Sequence, residues 1–267
     1  MQQSRGHDLD LDRLLADLSA AVEDATRLLF GLRLAPRSTR QKLNSLILVH
    51  GILRKARGVL QLSEGGNFDC IAPLVRSALI HFVDQRNNLN YDDYGDLLDY
   101  IRTDHWMKNL RAHRENPESP YSKSLIKHRG TGVTESLYTM ISTQRRELTA
   151  AKAKLAPRYL NKGGSVKSGE YNKFELAGML DSYHALFRGL SKDVHGNLDT
   201  LADPLIGDGG LVWPPSNPTP SLVQFHVMLD IVLDAAVALA RRYRKPAGRC
   251  RAIRSRYERG MVSRGAA

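Results

Sequence analysis

Apolar residues recur at helical spacing along most of the chain, and the breaks between the runs divide it into about seven helices. Leu11, Leu14, Leu15, Leu18, Val22, Ala25, Leu29 and Leu32 predict a long amphipathic first helix from about Leu9 to Leu34, closed by Pro36. Ser38 with Gln41 forms a capping-box signature ahead of Leu43, Leu46, Ile47, Ile52, Leu53 and Leu60, so a second helix runs to about Leu62 and breaks at Glu64-Gly65-Gly66-Asn67. A third helix passes through Leu74, Val75, Leu79, Phe82 and Val83, with Pro73 tolerated near its first turn. A fourth spans about Tyr91 to His113, with Tyr94, Leu97, Leu98, Ile101 and Met107 on its apolar face. After a loop at Asn116 to Pro120, a more polar helix covers about Thr131 to Leu155. Pro157 to Tyr171 reads as a flexible connection.

Two stripes run side by side on the next helix, about Lys173 to Leu198. Leu180, Tyr183, Phe187, Leu190 and Val194 repeat at 3, 4, 3 and 4 residues, the spacing of a core-facing line. His184, Arg188, Ser191 and His195 repeat at 4, 3 and 4 and form a polar line about 100° around from it. That line borders core and water. It suits either a phosphate site or a hydrogen-bonded helix contact. Within the Gly- and Pro-rich stretch Asp203 to Pro220, Leu205-Ile206 and Leu211-Val212-Trp213 flank Asp208-Gly209 and predict one tiny β-hairpin near 205–213. The last helix, about Leu222 to Tyr243, is apolar almost all round, interrupted by His226, Asp230 and Asp234 at successive i, i+4 positions. Carboxylates at its middle make it a poor membrane span and a good central helix of an all-α bundle. Asp230 and Asp234 then need cationic partners, and Arg76 and Arg188 are the candidates.

Composition is that of a globular protein, with 42% hydrophobic and 25% charged residues. The N-terminus has neither a basic n-region nor an apolar h-region, so the chain is expected in the cytoplasm. The net charge of +11 changes the picture only when located. Residues 241–267 hold ten basic side chains and the single acid Glu258, whereas the rest carries 29 basic and 27 acidic residues. The expected organisation is a bundle domain over residues 1–245 and a basic, flexible tail over 246–267. Arg249, Arg251, Arg254, Arg256 and Arg259 of that tail suit a nucleic-acid backbone, an acidic membrane surface, or plain solvation.

Several chemistries lack their motifs. There is no glycine-rich phosphate loop, HExxH, EF-hand loop or GxSxG elbow, and Cys70 and Cys250 stand apart without a Cys/His cluster. No metal or cofactor is expected.

Tyr183 to His195, read as Tyr-x7-Ser-x3-His-Gly, resembles the C-terminal signature of a group of uncharacterised bacterial all-helical proteins. That group's other mark is an Arg-Ser followed by an apolar pair, here Arg76-Ser77 with Ala78 and Leu79, and the resemblance covers roughly residues 40 to 205. Ile80 stands where the group commonly has a glutamate.

More distantly, Arg188-x6-His195 is similar to the Arg-x4-6-His motif of HEPN domains, helical proteins that include metal-independent ribonucleases and toxins of bacterial conflict and phage-defence systems. The resemblance implies His195 as acid/base toward an RNA 2′-hydroxyl and Arg188 as a clamp on the scissile phosphate, with Ser191, His184 and Arg76 in support. It also implies a homodimer. With 27 arginines and nine histidines such spacings arise by chance, and a second match, Arg76-x4-His81, lies about 140° apart on a helix. Arg188 and His195 are only about 20° apart. The alternative is a non-enzymatic helical interaction protein, its tail tethering it to nucleic acid or to a protein partner.

Overall fold

The computed structural model describes residues 2–32, 39–129, 133–194, 206–207, 210–211 and 222–265. Among them the fold is all-α, with ten helices. They are α1 (Gln2–Phe30), α2 (Arg40–Glu64), α3 (Ile71–Asn90), α4 (Tyr94–Glu115), α5 (Pro120–Arg129), α6 (Val133–Ala153), α7 (Glu170–Leu176), α8 (residues 180–194), α9 (Leu222–Arg242) and α10 (Gly248–Gly265). Ile206–Gly207 pairs antiparallel with Gly210–Leu211. The chain divides into two compact units, Met1–Asn90 with Lys173–Ala267, and Tyr91–Asn172.

In the first unit α3 packs on α2, α8 and α9, while α1 packs on α2, α9 and α10. Helix α9 supplies much of the core through Phe225, Met228, Leu229, Val232, Leu233 and Leu239, as its all-round apolarity predicts. It is also long and apolar enough to cross a membrane by length and composition alone. Glycines let α2 approach α3. A Cβ on Gly51 would lie 3.3 Å from the His81 ring, and one on Gly58 would meet Leu74 at 2.9 Å.

The apolar spacing marks α3 only as far as Val83, before the polar run Asp84-Gln-Arg-Asn-Asn. Instead the helix continues to Asn90, with Asp84, Gln85, Asn87 and Asn88 all buried. Each amide is used as a tie, because a buried polar group must recover the hydrogen bonds it loses to water. Gln85 Nε2 donates to Ala235 O of α9 (3.0 Å), and Asn87 Nδ2 to Lys173 O of α7 (2.9 Å). Asn88 Nδ2 donates to Gln41 O (2.9 Å) and Ser45 Oγ (2.8 Å) of α2.

Helix α2 begins at a different cap from the one its sequence suggests. Thr39, not Ser38, is the N-cap, its Oγ1 accepting from Lys42 N at 3.3 Å; Ser38 lies outside the described residues. Gln41 Nε2 donates to Asn88 O at 2.7 Å.

The striped helix is not continuous. It is broken at Gly178, whose φ of +65° is left-handed, and Met179 N donates back to Phe174 O (2.9 Å) to close α7. Helix α8 then carries a π-helical turn over Tyr183–Phe187. Of the apolar stripe, Phe187 and Leu190 are buried and Leu180 and Tyr183 half-buried.

The residues read as a flexible tail form α10, which packs on α1 and α9. Ala247, Cys250 and Ile253 are buried and Tyr257 is half-buried. These positions, three or four residues apart, are an amphipathic stripe hidden among the arginines.

The second unit holds α4, α5 and α6. Met107 and Leu110 of α4 and Ile141 of α6 form its small core. Helix α5 occupies a stretch with no apolar period. A segment after α6 has a 3-10 turn at Pro157–Tyr159 and a bridge between Leu160 and Val166. There Asp93 accepts from Tyr159 Oη and from Arg158 Nη2, both at 2.6 Å. Burial pushes the Asp93 carboxyl up, but these two donors outweigh it and hold it below its ordinary value.

Candidate functional site

The arginine of Arg76-Ser77 and the serine of the Tyr-x7-Ser-x3-His pattern meet between α3 and α8. Arg76 Nε donates to Ser191 Oγ at 3.0 Å, and Ser191 Oγ donates to Phe187 O at 2.7 Å. The Arg76 guanidinium lies 4.7 Å from the centre of the Phe187 ring. Tyr183 stacks on Phe187 (centroids 5.3 Å, 20° between planes), and Phe174 of α7 packs against both. Cation, hydroxyl and aromatic floor therefore fix the plane of the Arg76 fork, a rigid donor array suited to phosphate or carboxylate oxygens.

Arg188 lies exposed one turn before Ser191, and His184 is exposed with its ring edge-on to Tyr183. His195 lies outside the described residues. Among the described residues no carboxylate pairs with Arg76 or with Arg188. The structural role foreseen for Arg188, and for Arg76, as partner of Asp230 and Asp234 is thus overturned. Both carboxylates belong to Arg254 of α10, at 3.6 Å and 2.9 Å. They are also half-exposed, not core, groups. The reason is geometric: the polar line of α9 faces α10, and its first member, His226, sits with Nδ1 2.7 Å from Tyr257 Oη. Burial, reinforced by Asp230, pushes the Tyr257 phenol up to about 12, so it keeps its proton at neutral pH.

The arginines expected to serve nucleic acid divide into two sets. Arg249 pairs with Asp24 (3.5 Å), Arg254 with the α9 carboxylates, and Arg256 with the buried Asp17 of α1. Arg251 and Arg259 are exposed.

A second polar group, which sequence reasoning missed, lies in the same unit. Lys173 Nζ of α7 and Asp84 Oδ2 of α3 are 3.3 Å apart, with side chains only 7% and 8% exposed. His81, one turn before Asp84, has its pKa lowered by burial, with Lys55 and Lys173 adding to the effect and Asp84 opposing it. The partners are 89 residues apart in sequence, so no spacing could announce them. Among the described residues no group of three or more His, Cys, Asp or Glu could hold a metal ion.

Residues 45–210, more than half of the chain, match a family of unknown function, DUF5677. The chain belongs to that family. The DUF5677 match includes Arg76, Arg188, Ser191, His195 and the whole second unit, but not α1, α9 or α10. No curated protein and no solved structure matches the chain significantly.

Proposed function

We propose that this DUF5677 protein is an RNA-directed, HEPN-like protein whose Arg76, Ser191 and Arg188 hold a phosphodiester, with His195 as acid/base in metal-independent cleavage. One observation carries the reading. Two arginines flank Ser191 without a carboxylate partner among the described residues, whereas three arginines of α10 are each paired within the protein. An unneutralised, pre-oriented guanidinium is what phosphate recognition uses, and a protein that merely needed a helix contact there would pair it.

In cleavage, His195 takes the proton of the 2′-hydroxyl, O2′ attacks phosphorus to form a 2′,3′-cyclic phosphate, and the bond from phosphorus to the 5′-oxygen breaks, that oxygen leaving as a hydroxyl with a proton from water. An imidazole suits the first step because it titrates near neutral pH. The HEPN likeness further implies a homodimer that brings two such sites together.

Binding is tested by fluorescence anisotropy with a labelled single-stranded RNA, comparing the full chain with Arg188→Ala and with Arg251→Glu/Arg259→Glu. The site reading expects Arg188→Ala to weaken binding clearly. Loss confined to the α10 variant would favour the alternative, an interaction protein that uses the exposed Arg251 and Arg259 of α10 as a tether. Charge reversal leaves α10 docked, whereas deleting residues 246–267 would strip Cys250 and Ile253 from the core.

A further inference from the structure

A cleft of about 360 Å³ opens between α3 and α9, away from Ser191. Phe82, Leu89 and Val237 give it apolar walls, and Arg86 and Arg241, both exposed, stand at its lining. Asp234 also lines it, but its charge is engaged by Arg254 at 2.9 Å. The lining thus carries two cations against one anion, a net charge of +1. Gln85, 1% exposed, also lines the cleft and is held by its Nε2 bond to Ala235 O.

We propose that this cleft binds a small aromatic anion. Its anionic head lies between Arg86 and Arg241, and its rings lie on Phe82, Leu89 and Val237. The volume is at the lower end of the range for small-molecule sites, which fits a ligand of one or two rings. The inference is independent of the RNA reading, because no residue is shared with the Arg76–Ser191 site.

The probe is 1-anilinonaphthalene-8-sulfonate, which has a sulfonate and fused rings, titrated by fluorescence into the folded full chain. Saturable one-to-one binding is expected. Arg86→Gln/Arg241→Gln should weaken it by about tenfold or more, since each charged hydrogen bond contributes over a factor of ten when desolvated. Ala238→Trp, which fills the cleft from α9, should weaken it as strongly by a different route, with far-UV circular dichroism confirming the fold of both variants. Absence of saturable binding, or wild-type affinity in either folded variant, overturns the proposal.

Discussion

Breaking the Asp84–Lys173 pair should be among the most damaging single changes in the first unit. At 3.3 Å and an effective dielectric constant near 20, the gross attraction is about 5 kcal/mol. The net value of the pair is much smaller, because both charges were taken out of water. Removing one partner is different: it leaves the other charge buried at less than a tenth of its accessible surface. Asp84→Leu or Lys173→Met should each lose about 3–5 kcal/mol of stability. The double variant should lose far less than the sum, about 1–2 kcal/mol, since it buries two apolar side chains and no stranded charge. Urea unfolding followed by far-UV circular dichroism measures all four proteins. Single losses under about 1 kcal/mol, or additivity in the double variant, would refute the claim that α7 is held to α3 by a desolvated ion pair.

Other consequences can be checked separately. Arg254→Ala with Arg256→Ala should cost about 1–3 kcal/mol, because one set of pairs is half-exposed and the other strands the buried Asp17; hydrogen exchange across 248–265 should rise, and unchanged protection would contradict the docking. Burial lowers the His81 pKa, so the unfolded state binds more protons: its contribution is present above about pH 6.5 and is lost as pH falls below that, at no more than about 1.4 kcal/mol per pH unit. The slope of unfolding free energy between pH 7 and 5 should flatten in His81→Gln, and an identical slope would rule His81 out. Gly178→Ala should cost about 1–2 kcal/mol, read from the thermal midpoint, because alanine resists a φ of +65°.

Local periodicity made the bundle legible, and long-range pairing was what it concealed. Runs such as Leu11 to Leu32 and Leu222 to Tyr243 announce their helices because one residue in three or four must face the core. Helix α10 escaped notice since Ala247, Cys250, Ile253 and Tyr257 are small or widely spaced among ten cations, and charge dominates composition. The end of α3 escaped for the opposite reason: Gln85, Asn87 and Asn88 look solvent-facing, and only the carbonyls of Ala235, Lys173 and Gln41, far away in sequence, make their burial tolerable. Within the candidate site, Arg76, Arg188 and Ser191 were all named from the sequence. Their relation was not, because the π turn and the break at Gly178 shift the register of α8 from that of an ideal helix. The carboxylates of α9 were matched to the wrong arginine for a similar reason, as the helix that supplies Arg254 had been read as a tail.

Cleavage of a single-stranded RNA in the presence of a chelator is the measurement closest to the central claim. The account predicts products from the wild-type chain with EDTA present, none from His195→Ala, and strongly reduced cleavage by Arg188→Ala, each variant keeping its helical circular dichroism. Cleavage that survives His195→Ala, or a folded wild-type chain that yields no products at any concentration, would contradict it.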